Sequence, residues 1–123
     1  MLMDHRTYRC QPGTIAAQLK LYEEHGWQVQ RKHLGEPLVY AQVETGDVNS
    51  YIHVWVYQNA ADRESRRKTM AADPDWQAYQ KLSAAANNLV SQVNTLLKPT
   101  PFFDPDARSA SLSTDSGTDS DSS

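Results

Sequence analysis

The side chains best able to do chemistry stand on one short stretch, Tyr51-Ile52-His53-Val54-Trp55-Val56-Tyr57. In an extended chain Tyr51, His53, Trp55 and Tyr57 point one way, and Ile52, Val54 and Val56 the other. The aliphatic side is predicted to pack under helices. The aromatic side, apolar in area but tipped with polar atoms, is predicted to form an interface or line a cavity. The β-branched and aromatic run Pro37–Thr45, followed by the turn Gly46-Asp47-Val48-Asn49, makes this strand the second arm of a hairpin. With Glu44 opposite Tyr51, Gln42 falls opposite His53 and Tyr40 opposite Trp55. Arg6 and Tyr8 join the same face if the first strand neighbours the third. The expected ligand-binding set is therefore Tyr8, Tyr40, Gln42, Tyr51, His53 and Trp55. Catalysis there would use His53 as general base, Arg6 against developing negative charge, and Glu44 beside Arg6. A structural reading stands beside it: Arg6 and Glu44 form an ion pair, and the aromatics with His53 seal an interface.

Other chemistries find less in the sequence. His5, His25, His33 and His53 include no i, i+4 pair and no close His-x-His pair, so no metal site is expected. Cys10 is the single cysteine; it reads as a buried structural thiol and points to a reducing compartment, the cytoplasm. Pro12-Gly13 lacks the further glycines of a phosphate-binding loop, so no cofactor is expected. Arg63, Arg66, Arg67 and Lys68 read as a solvated helix face balanced by Asp62 and Glu64, and Trp76 as a core anchor.

The elements that must hold these residues follow from changes of hydrophobic period. His5–Cys10 alternates and ends at a Pro-Gly turn, a first strand. After Thr14, a predicted N-cap, Ile15, Leu19, Tyr22 and Gly26 recur on one helical face, with Gly26 at the C-terminal cap. Trp27–His33 reads as an irregular turn. Asn59 opens a helix to about Ala71, with Asp62 and Arg66 paired at i, i+4. Asp73-Pro74-Asp75 restarts a helix to about Ala86, with Asp73 as N-cap and Pro74 at its first position. Leu89–Leu97 is the last strand. The order β-α-β-β-α-β is the ferredoxin-like pattern, α+β, an antiparallel four-stranded sheet with the helices on one face.

The chain has 123 residues, 12 Lys+Arg and 15 Asp+Glu. Four acids and one base lie in residues 106–123, so residues 1–105 hold eleven of each and are neutral. A neutral body lacks the basic surplus of a nucleic-acid binder. No apolar run reaches the roughly 18 residues that span a bilayer, and Asp4-His5-Arg6 interrupts any secretory apolar region. Residues 106–123, rich in Ser and Asp, bury too little to offset ordering and are expected to be a disordered acidic tail beyond a single domain of residues 1–105. The Pro-rich run from Lys98 to Pro105 is expected to leave the domain extended.

Helices on one face leave the other sheet face bare, and so large an apolar patch is rare in a monomer. A homodimer is expected, sheet against sheet, with the Trp55 face inside.

Several sequence pieces together resemble the NIPSNAP family. They are His5-Arg6-Thr7-Tyr8, Pro12-Gly13, Gly35-Glu36-Pro37 with Tyr40, Glu44-Thr45-Gly46, Asn49 and His53-Val54-Trp55 with Tyr57. Ala61-Asp62-Arg63 with Arg66-Arg67, Asp73-Pro74-Asp75-Trp76, and Asn94 before Leu97 continue the likeness, which runs from Asp4 to Phe103. Val56 departs from it, since many members carry Arg there. The resemblance implies the dimeric α+β barrel superfamily, and a family without a settled biochemical activity. Two function classes stay open. One is a dimeric binding or interaction protein whose cavity takes a small apolar or aromatic molecule. The other is a cofactor-independent monooxygenase or isomerase of an aromatic or polyketide-like substrate.

Overall fold

Four strands and four helices alternate along the chain: β1 (Leu2–Cys10), α1 (Ile15–His25), α2 (Trp27–Leu34), β2 (Val39–Gln42), β3 (Ser50–Tyr57), α3 (Ala60–Ala72), α4 (Pro74–Ala86) and β4 (Leu89–Leu97). They are seen in a computed structural model that describes residues 1–108. The sheet is antiparallel throughout, in the order β2-β3-β1-β4, the ferredoxin-like arrangement. Each helical connection is a pair of helices. Trp27–His33, expected as an irregular turn, belongs to α2, which stops at Gly35 with φ +80°.

Local signals place the helix starts. Asn59 Oδ1 accepts from Asp62 N at 2.8 Å, and Asp73 Oδ1 accepts from Asp75 N at 2.9 Å ahead of Pro74. Asp62 and Arg66 form their i, i+4 pair at 2.9 Å. Thr14 flanks α1 but does not cap it; its hydroxyl donates to Gln11 O at 2.7 Å instead. Gly26 takes no left-handed conformation either, with φ −116°. It is needed for space: a Cβ there would meet the Tyr22 ring at 2.8 Å. The segment from Lys98 to Pro105 turns rather than extends, with Phe103 N donating to Thr100 O at 3.1 Å. The expected disordered tail lies, from residue 109 on, outside the described residues.

The two sheet faces are assigned opposite to expectation. Trp55 and Tyr57 pack with Tyr22, Val29, Leu34, Met70, Trp76 and Tyr79, which come from all four helices. The face bearing Tyr51, His53, Trp55 and Tyr57 is therefore the one beneath the helices, and it cannot be the interface between two copies. The aliphatic face of Ile52, Val54 and Val56 is the outer one, continued by Val39 on β2 and by Val93 and Leu97 on β4. Val93 is 63% exposed and Val39 41%.

Turning the mixed face inward brings charge with it. The Asp4 carboxylate, without exposure, accepts from Arg6 Nη1 at 3.2 Å, Arg63 Nε at 3.0 Å and Asn94 Nδ2 at 3.3 Å. Burial alone would push Asp4 up. The bond from Arg63 and the charges of Arg6 and Arg63 outweigh burial and hold the carboxyl below its ordinary range. Arg63 is thus a strut between α3 and β1, not part of a solvated face. Glu44 is exposed in the hairpin loop, and the partner of Arg6 is Asp4, two residues along the same strand face.

Asp4→Asn leaves two guanidinium groups facing each other over a neutral amide. Urea unfolding at neutral pH should show a loss of about 3–5 kcal/mol, whereas Glu44→Gln should stay within about 0.5 kcal/mol of the parent. Equal effects of the two changes would return Glu44 to the ion pair.

Candidate functional site

β3 sets the site because it lies between β1 and β2. The observed register pairs His53 with Arg6 on one side and Tyr40 on the other, and Tyr51 with Tyr8 and Gln42. This is two residues away from the expected hairpin register. The shift keeps each side chain on its face but moves Glu44 out into the loop, where Asp47 closes the turn by accepting from Asn49 N at 3.1 Å and Ser50 Oγ at 3.0 Å. It also sets Tyr40 against His53 rather than Trp55. The outcome is a run of parallel rings across three strands and onto α1. Tyr8 and Tyr40 lie on either side of His53, with centroids at 5.0 and 4.6 Å and interplanar angles of 17° and 7°. Tyr22 then stacks on Tyr40 at 5.0 Å, and Tyr51 on Tyr8 at 5.3 Å.

Between this ring stack and α4 lies a cavity of about 320 Å³. Tyr8, Tyr40, Tyr51 and His53 of the expected set line it, beneath the helices and not on an uncovered face where the cavity was expected. Gln42 is exposed at the end of its strand and does not reach it. Trp55 has no exposure and sits behind His53, and Arg6 sits behind Tyr8. Ten of the fourteen lining residues were missed, seven of them because they come from helices, among them Tyr22 from α1, Gln30 from α2, and Trp76, Tyr79 and Ser83 from α4. Trp76, Tyr79 and Ser83 stand at i, i+3 and i+7, one stripe of α4, and a stripe with hydroxyls where leucines would suffice was the signal available.

Among the described residues no Asp, Glu, Lys or Arg lines the cavity. Its titratable groups are held neutral. Burial pushes the Tyr22, Tyr40 and Tyr51 phenols far up and Tyr79 up to about 12. Burial, with the Arg6 charge adding to it and Asp4 opposing it, pushes His53 down to about 3.

The hydrogen bonds around the cavity also have a direction. Trp55 Nε1 donates to His53 Nδ1 at 2.5 Å, so the neutral ring carries its proton on Nε2. Arg6 Nε donates to the Tyr8 hydroxyl at 3.2 Å, which leaves the phenol proton for another partner. Buried Gln18 does the same on the helix side, donating to Tyr79 Oη at 3.3 Å and Ser83 Oγ at 3.2 Å. Tyr22 spends its proton within the protein, on Gln30 Oε1. His53 at neutral pH is thus placed as a donor, and the general-base role expected of it lacks both a free lone pair and a suitable pKa.

Among the described residues no cluster of three or more His, Cys, Asp or Glu could hold a metal ion. No helix there is long and apolar enough to cross a membrane. Cys10 is buried, and burial pushes its thiol up.

Residues 3–104 match the NIPSNAP family model. A NIPSNAP family protein of unknown function from Agrobacterium tumefaciens is 35% identical, with a TM-score of 0.76 over 84% of this chain and 91% of that one. An uncharacterised NIPSNAP domain protein from Burkholderia xenovorans is 29% identical, with a TM-score of 0.78 over 85% of this chain and 99% of that one. An antibiotic biosynthesis monooxygenase is 17% identical, with a TM-score of 0.58 over 82% of this chain and 100% of that one, a likeness of fold alone. None of the curated proteins matches the chain.

The His53 environment gives stability a pH dependence. Unfolded, the ring titrates near its ordinary 6.5; folded, it titrates near 3, so between these values the native state binds fewer protons than the unfolded chain. The contribution of the neutral ring is therefore complete above the unfolded value and is lost as pH falls toward the folded one. Urea unfolding near pH 7 and about pH 5 should show the parent losing up to ~1.4 kcal/mol per pH unit more than His53→Gln. Parallel losses in both proteins would assign the acid sensitivity elsewhere.

Proposed function

The chain belongs to the NIPSNAP family, and from that premise we propose that it is a binding protein for a small, uncharged aromatic molecule held in the cavity between sheet and helices. One observation carries this reading: a cavity of about 320 Å³ is walled by tyrosines, His53 and side-chain amides with no charged group among them. That volume is at the lower end of small-molecule sites. A ligand carboxylate or ammonium would lose its hydration there without gaining a counter-ion, whereas a flat neutral ring would stack on the aromatic wall. The single cysteine supports a reducing, cytoplasmic setting.

The protein is further proposed to work as a homodimer through the outer sheet face. What supports this is the row Ala41, Ile52, Thr7 and Val93 across the four strands, flanked by Val39 and Leu97, a bare patch of the kind that monomers seldom present.

Calorimetric titration with 1-naphthol and 1-naphthoate tests the binding reading. The neutral naphthol should bind, the carboxylate about tenfold more weakly or not at all, and Ala84→Trp, which fills the cavity, should abolish both. Binding of naphthoate as tight as that of naphthol, or full binding by the filled variant, would overturn it. Sedimentation tests the dimer. The parent should run at about twice the chain mass of 13.9 kDa and Val93→Lys at the single mass. A monomeric parent, or a charged variant of unchanged mass, would remove the outer face as the interface.

A further inference from the structure

We propose that the cavity selects molecules presenting a carbonyl oxygen, an aryl ketone being the class, and that Trp55 determines this selectivity without touching the ligand. The inference rests on the binding reading above and adds the polarity of the ligand atom recognised. The ring faces of His53 are covered by Tyr8 and Tyr40, so only the ring edge is left to meet a ligand. Of its two nitrogens, Nδ1 is occupied by the Trp55 indole, a group that can only donate. The other, Nε2, must then carry the proton and donate. An imidazole free to exchange tautomers would serve a donor or an acceptor equally well; this one has been committed.

Neighbouring hydroxyls are biased toward donation in the same sense. The Tyr8 oxygen accepts from Arg6 Nε, a guanidinium that can never accept in return. Tyr79 accepts from Gln18 on the opposite wall. Unspent protons on His53 and Tyr8 therefore belong to two residues that line one cavity. Behind Tyr8 lie two guanidinium groups, Arg6 and Arg63, on one carboxylate, Asp4. The excess positive charge polarises the donors toward an electron-rich oxygen. A ligand with no acceptor leaves these protons unmatched in a buried site, which lowers its affinity.

The probes are 1-acetonaphthone, 1-ethylnaphthalene, which has nearly the same shape without the oxygen, and 1-naphthol. The ketone should bind at least about tenfold tighter than ethylnaphthalene, and its infrared C=O stretch should lie below its value in hexane. Tyr8→Phe, which removes one hydroxyl, should return part of that frequency shift. Trp55→Phe frees Nδ1, and the preference for ketone over naphthol should fall by about tenfold even where the overall affinity also drops. Nitrogen NMR on the ligand-free parent should find the His53 proton on Nε2; in any Trp55→Phe protein that folds, a mixture of tautomers should appear.

Equal binding of ketone and ethylnaphthalene, with an unshifted C=O stretch, would overturn this inference and leave the aromatic cavity reading standing. A His53 proton on Nδ1 in the parent would overturn it whatever the binding. If no neutral aromatic binds at all, both readings fall together.

Discussion

A carboxylate without exposure to water, that of Asp4, is the constraint on which the inner half of this molecule is built. A buried charge is tolerated only where partners replace its hydration. Here those partners are Arg6 on the same strand, Asn94 on the neighbouring strand and Arg63 on α3. Each draws a different element onto the same point of the sheet. The network also decides where Arg6 stands, and Arg6 in turn fixes the Tyr8 hydroxyl that reaches the cavity. Removing the carboxylate would therefore disturb a binding wall as well as a structural joint.

The polar groups of the cavity inherit their direction from what lies behind them. Guanidinium and indole groups are donors only, and both sit in the layer behind the cavity wall. Once Arg6 and Trp55 are placed there, His53 is left with Nε2–H as a donor, and Tyr8 keeps its proton for another acceptor. The aromatic stack holds the rings in register, and burial keeps the phenols and the imidazole neutral across the ordinary pH range. The outcome, among the described residues, is a cavity wall without charged side chains in which packing fixes the hydrogen-bonding direction of His53.

The outer face follows the opposite rule. Apolar side chains dominate the row Ala41, Ile52, Thr7 and Val93, with His5 and Thr95 in the row beside it, and removing such apolar surface from water is favourable. In the proposed dimer a second copy would offer the same row of Ala41, Ile52, Thr7 and Val93 by symmetry. One sheet thus presents an aromatic, hydrogen-bonded face beneath its own helices and a mainly aliphatic face on the far side.

Alternation along Tyr51–Tyr57 by itself determined that His53 shares a face with Tyr51 and Trp55, because strand side chains repeat every two residues whatever the surroundings. The caps at Asn59 and Asp73 and the order of strands and helices were equally local, and so were legible in the chain. Which face the helices cover was not. The choice depends on whether distant groups can satisfy the polar tips, and Arg63, some sixty positions from Asp4, does so only once α3 is folded over β1. The two-residue shift that brought Tyr40 to His53 and left Glu44 outside was likewise decided by the geometry of the Asp47 turn. A sequence can show that a histidine, a tryptophan and an arginine are near one another on a strand face. That the tryptophan would take Nδ1 and leave Nε2 to the cavity depends on distances that only the packed sheet supplies.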